Sequence, residues 1–140
     1  MKKIGVVGMG YVGLTFSIVG AKKGLTISGI EKNKNIIKTI TNGKAHFFEK
    51  GMNSTLKTII NKNLFVYDSF KNTGKQDAFV ITVGTPLISD KVGPNVQHII
   101  EALKSISSVF TGKELVVLRS TVSVGVTRKY VIPYLSKISG

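Results

Sequence analysis

Four short stretches of this 140-residue chain carry residue types that can do chemistry together. The first is Gly8-Met9-Gly10-Tyr11-Val12-Gly13, which follows the apolar run Lys3-Ile4-Gly5-Val6-Val7 and opens a helix-like segment. Glycines at this spacing give three separate freedoms: a tight turn at Gly8, close approach of the backbone to a ligand at Gly10, and close packing of helix on strand at Gly13. The exposed N–H groups and the positive dipole end of the helix then make an anion site suited to a pyrophosphate. Glycine spacing alone is a weak signal, and its place between a strand and a helix gives it weight. The alternative is a glycine-rich turn that holds no ligand.

Glu31 is the second stretch. It ends the next apolar segment, about 20 residues past the loop, where a carboxylate accepts hydrogen bonds from the hydroxyls of an adenosine ribose. A carboxylate there also repels a 2′-phosphate, which favours NAD over NADP; Lys32 and Lys34 work in the opposite sense, as cations able to meet a phosphate. The third and fourth stretches are Gly84-Thr85-Pro86 and Ser120-Thr121-Val122, each just after a strand-like run. Hydroxyls at such strand ends can bond to a ribose, a phosphate or an ordered water near a nicotinamide. Thr85 and Thr121 can equally cap helices or shape turns. His46 and His98 are read as turn or surface packing, and no spacing of His, Asp or Glu suggests a metal.

The elements that must position these residues alternate in type. Strands are expected over residues 3–7, 25–30, 64–67, 78–83 and 115–118, and helices over 11–23, 33–41, 54–61, 96–109 and 127–138. Gly24 and Asn42-Gly43 supply helix stops, and Pro133 a kink or a second start. The run Ala78-Phe79-Val80-Ile81-Thr82-Val83 reads as a strand buried on both faces, as in parallel sheets. Alternating strands and helices predict an α/β fold, a Rossmann-type doubly wound and mostly parallel sheet with helices on both faces. Such sheets commonly order their strands 3-2-1-4-5-6, so the sixth strand is expected to lie beyond these residues.

The composition bounds the rest. Hydrophobic residues make up 42% and charged residues 19%, a globular balance that excludes disorder. No apolar run is long enough to span a bilayer, and no secretion signal is recognisable, so a cytoplasmic protein with no membrane partner is expected. With no cysteine there is no disulfide, thiolate metal site or cysteine nucleophile among these residues. The formal charge of +13 invites a nucleic-acid reading. Against it, the lysines are scattered from Lys2 to Lys137, only Arg119 and Arg128 are arginines, and no basic run is interleaved with aromatics. A nucleic-acid partner is therefore not expected.

Taken together, the segments resemble the NAD-binding domain of the UDP-glucose/GDP-mannose dehydrogenase family, the nucleotide-sugar 6-dehydrogenases. The resemblance rests on Ile4-Gly5-Val6-Val7-Gly8-Met9-Gly10-Tyr11-Val12-Gly13-Leu14, on Asn42-Gly43 and Phe48-Glu49-Lys50-Gly51-Met52, on Val83-Gly84-Thr85-Pro86, and on Leu118-Arg119-Ser120-Thr121-Val122 with Gly125. It implies two successive NAD-dependent oxidations of a sugar C6 alcohol to a carboxylate, on UDP-glucose, a UDP-N-acetylhexosamine or GDP-mannose. It places Tyr11 and Val12 in the phosphate loop, Glu31 at the adenosine ribose and Thr85 in the NAD site. Thr121 would lie beside the nicotinamide and position a water; Glu49 would have a structural role.

This chain departs from the pattern at Glu31 (usually aspartate), Ile36 (often basic), Lys50 (often proline) and Asn95 (usually aspartate). The family's nucleophilic cysteine, with its lysine and asparagine, belongs to later domains. The 140 residues are thus expected to be a one-domain fragment that binds NAD, does not oxidise sugars alone, and comes from a homodimeric enzyme. Two rival readings stand beside this one: a hydroxyacid or 6-phosphogluconate-type dehydrogenase domain, and a stand-alone dinucleotide-sensing module.

Overall fold

The computed structural model describes residues 2–85 and 96–139. Five strands, β1 (Lys3–Val7), β2 (Thr26–Ile30), β3 (Leu64–Tyr67), β4 (Ala78–Ile81) and β5 (Leu115–Leu118), form one sheet in the order β3-β2-β1-β4-β5. Every neighbouring pair is parallel, in a register that sets Val6 opposite both Gly29 and Val80. A parallel sheet needs a crossover between successive strands. Here the crossovers carry α1 (Tyr11–Lys22), α2 (Lys34–Thr41), α3 (Met52–Ile59) and α4 (Gln97–Ser107), with α5 (Ile132–Ile138) following β5. Because all strands run the same way, their C-terminal ends share one edge, and every candidate site residue lies on or just beyond it.

Two apolar layers hold the helices to the sheet. On one face Leu14 and Ile18 of α1 and Leu56 of α3 pack on Ile4, Val6, Ile27 and Leu64. On the other, Ile99, Leu103 and Ile106 of α4 meet Val7, Phe79 and Ile81. The alternation of Val6 and Val7 between the two layers is the pleat of β1 expressed as burial on both sides. No helix among the described residues is long and apolar enough to cross a membrane.

Several element ends differ from the sequence expectation, each for a local reason. Asn33 stays outside α2 as its cap, its Oδ1 accepting from the Asn35 N–H at 2.9 Å. α3 starts earlier, at Met52, because Gly51 takes φ +79 before it and Met52 is buried. The last helix divides at the second start expected from Pro133: Thr127–Val131 winds as a wider π-type turn, and α5 begins with Pro133 in its first turn, where a missing N–H costs nothing. Gly24 and Gly43 do end their helices with positive φ. Thr82 and Val83, expected in β4, lie beyond its end. Pro86 and Asn95 lie outside the described residues.

Among the described glycines, Gly13 leaves the least room for a side chain, where α1 meets the turn that precedes it. A Cβ placed on Gly13 would stand 1.9 Å from the Gly8 carbonyl oxygen and 2.6 Å from Thr82 Oγ1. Gly10, by contrast, has nothing within 4 Å of such an atom. Gly13→Ala is therefore expected to destabilise the fold by about 3 kcal/mol or more through overpacking. Gly10→Ala should cost less than about 1 kcal/mol. Urea unfolding of the two variants checks the contrast, and equal losses would contradict this account of the turn.

Candidate functional site

The glycine turn is assembled by backbone demands. Gly8 adopts φ +92, a conformation that favours glycine, and its N–H donates to the Ile30 carbonyl at 2.9 Å. Its own carbonyl lies 2.7 Å from Thr82 Oγ1, a hydroxyl that is also 3.0 Å from the Val7 carbonyl. Met9 is fully buried and packs its thioether over Gly29, where a Cβ would fall 2.5 Å from the sulfur. The turn is thus pinned from below by Met9 and from the side by Thr82. Gly10 follows as the residue before α1, and the first helical hydrogen bond runs from Leu14 N–H to Gly10 O. α1 has no side-chain cap and no acid in its first turn, so its leading N–H groups and positive dipole end remain for an anion.

Glu31 is locked to this turn. Its Oε2 accepts from the Met9 N–H at 3.1 Å, and its Oε1 from the Asn33 N–H at 2.9 Å. The carboxylate therefore fixes the end of β2 against both the glycine turn and the start of α2. A cleft of about 340 Å³ opens between these strand ends and α4, and Gly8, Gly10 and Glu31 all line it. The same walls include Asp68, Thr82, His98 and Glu101, which sequence reasoning left out. Asp68 directly follows β3, at the strand edge where such ligands bind, a positional signal that was available. Thr82, His98 and Glu101 have meaning only through contacts made across the fold.

A second cluster joins the ends of β4 and β5. Ser120 Oγ donates to the Val83 carbonyl at 2.7 Å, and Thr85 Oγ1 to the Thr121 carbonyl at 2.6 Å. His98 Nδ1 lies 2.8 Å from the Gly84 carbonyl. Thr85 and Thr121 are therefore brought together, beside the cleft and not among the residues that line it. Gly13 lies beneath the turn and acts through packing. Tyr11 and Val12 are exposed on the outer side of the helix start. His46 packs edge-on against Phe47, as a turn residue should. Among the described residues no group of three or more His, Asp or Glu is placed to hold a metal.

Tyr11 has a specific partner. Its ring lies 4.7 Å from that of Phe47, and its hydroxyl donates to Glu49 Oε2 at 3.1 Å. The hydrogen bond to Glu49, together with that residue's negative charge, raises the Tyr11 pKa above the ordinary phenol value. The bond is therefore fully formed below tyrosine's usual pKa and is lost as pH rises through the raised value. Ultraviolet titration of the four tyrosines should show one ionising late. That late phase should vanish in Tyr11→Phe and return to the ordinary range in Glu49→Gln; its persistence in Tyr11→Phe would assign it elsewhere.

Comparison with known proteins finds relatives in sequence and in fold. The sequence profile described as "UDP-glucose/GDP-mannose dehydrogenase family, NAD binding domain" matches residues 2–140. A UDP-N-acetyl-D-mannosamine dehydrogenase of Campylobacter jejuni is 33% identical over 127 residues, covering 91% of this chain and 31% of that protein. The structure of a UDP-N-acetyl-D-mannosamine dehydrogenase from Pyrococcus horikoshii superposes with a TM-score of 0.91 at 30% identity, covering 99% of this chain and 32% of that one. A GDP-mannose dehydrogenase from Pseudomonas aeruginosa, solved as a ternary complex, gives 0.88 at 27% identity, covering 98% of this chain and 32% of that one. The chain spans about a third of the length of these relatives.

Proposed function

The chain belongs to the UDP-glucose/GDP-mannose dehydrogenase family, its cofactor is NAD, and on that premise we propose that the cleft between the glycine turn and α4 is where the adenosine end of NAD binds. One observation carries this reading: Gly10 leaves open space at the start of an uncapped helix, while Glu31 stands on the same cleft with its carboxylate already oriented. The residues fit the group. The α1 N–H groups hold the pyrophosphate, Gly8 and Gly10 keep side chains out of its way, and Glu31 accepts from the ribose hydroxyls.

Glu31 has oxygen lone pairs left for this task, since each carboxylate oxygen accepts one backbone N–H and can accept a second donor. Tyr11 and Val12 contribute their backbone to the phosphate loop, and the Tyr11 ring, held by Phe47 and Glu49, walls its outer side. Thr85 and Thr121, linked by a hydrogen bond, mark the nicotinamide end, where the Thr121 hydroxyl positions a water near the reacting carbon. NAD, when bound, supplies the two-electron acceptor for alcohol oxidation.

At the level of the whole enzyme, we propose oxidation of a nucleotide sugar at C6 to a uronate in two NAD-dependent steps. The names of the similar proteins favour a UDP-N-acetylhexosamine as the sugar. In this reading the 140 residues form one domain of a longer, homodimeric cytoplasmic enzyme, and the cysteine chemistry of the second step lies outside them, since they contain no cysteine. Calorimetric titration should show NAD binding to the 140-residue chain. Gly10→Val should weaken it at least tenfold with little change in melting temperature, because its side chain meets open cleft and no protein atom. Undiminished affinity in that variant would remove the loop from the site, and turnover of a UDP-sugar by this chain alone would overturn the division of labour.

A further inference from the structure

The cleft is acidic in a strongly basic protein. The chain carries a formal +13, yet among the described residues the side chains lining the cleft include three carboxylates, Glu31, Asp68 and Glu101, against a single lysine, Lys32. That lysine is already paired: its Nζ lies 2.7 Å from Glu101 Oε2. Glu101 reaches it from α4, on the opposite wall and 69 residues away in sequence. The other carboxylate oxygen, Oε1, accepts from Gln97 Nε2 at 3.2 Å, one turn earlier on the same helix. The Glu101 carboxylate is thus steadied by its own helix while it holds Lys32, and the bond to Lys32 keeps it ionised below the ordinary carboxylate pKa.

Lys32 immediately follows the ribose acid Glu31. That is the neighbourhood in which a cation admits the 2′-phosphate that distinguishes NADP from NAD. Lys34, the other cation of this segment, does not line the cleft. We infer that Glu101 is a specificity-determining residue of the dinucleotide site: it withholds Lys32 from a 2′-phosphate, so that the cleft accepts NAD and rejects NADP. The inference rests on the reading of this cleft as the adenosine site and deepens it. Preference against NADP is then the work of two acids from distant segments, and the lysine beside Glu31 is silenced by an ion pair that only the folded chain can make.

The test is calorimetric titration of the chain with NAD and with NADP at low ionic strength, for wild type, Glu101→Gln, and Glu101→Gln combined with Lys32→Met. Glu101→Gln keeps the shape of the side chain and removes its charge. Both Lys32 and Glu101 have solvent-exposed side chains, so the variants should melt close to the wild type. Exposed ion pairs are weak, so the expected change is modest: NADP affinity rises by about fivefold relative to that for NAD. The gain should disappear in the double variant and shrink as salt is raised. An unchanged ratio of NADP to NAD affinity in Glu101→Gln, or a gain that survives Lys32→Met, overturns the inference while the NAD site stands. A wild-type chain that binds neither dinucleotide overturns the site itself and this inference with it.

Discussion

The first turn of α1 presses against the carbonyl of Gly8 with no room for a side chain between them, and the rest of the site follows from that contact. With Gly13 in place the start of α1 lies hard against the turn after β1, and its leading N–H groups carry no side-chain cap. Any Cβ at that position would push the helix outward and draw those groups away from a ligand. Thr82 closes the same junction from the neighbouring strand, its hydroxyl set between the Val7 and Gly8 carbonyls. Met9 closes it from beneath by occupying the space that Gly29 leaves. The turn is rigid because the backbone, a hydroxyl and a thioether each hold it from a different direction.

Around this turn the strand ends are tied to one another by side-chain hydrogen bonds to backbone. Glu31 joins β2 to the glycine turn, Ser120 and Thr85 join the loops after β4 and β5, and His98 joins α4 to Gly84. Loops at a strand edge lose the ladder that orders the strands, so these contacts satisfy main-chain groups that the sheet cannot reach. The electrostatic character of the edge is local and opposite to that of the whole molecule. Scattered lysines give the protein its positive charge, while three of its seven acids, Glu31, Asp68 and Glu101, line the cleft at this edge.

The sequence was most legible where a single element carries its own signal. The apolar run 78–83 and the helical spacing of Ile99, Leu103 and Ile106 identify β4 and α4 without reference to neighbours, although β4 ends at Ile81. The glycine turn was legible for the same reason, since strand, loop and helix are contiguous. Element ends were less so: Gly51 starts α3 through its φ, which period counting does not register, although Pro133 did mark the second start in the last helix. Thr82 reads as one more β-branched residue in an apolar strand until the fold brings Gly8 beside it. His98 and Glu101 lie on a helix whose pattern explains its buried face and is silent about the exposed one. Tyr11 shows the converse: its place in the motif was plain, but its side chain turns away from the cleft toward Phe47 and Glu49.

The two backbone N–H bonds to Glu31 have a kinetic meaning as well as a structural one. A free glutamate side chain on a surface samples many rotamers, and fixing it at the moment of binding costs about 0.5–1.5 kcal/mol. Here that ordering occurs once, as the chain folds, because Met9 and Asn33 hold the carboxylate before any ligand arrives. On the proposed reading, a ribose meets a carboxylate that needs no conformational search of its own.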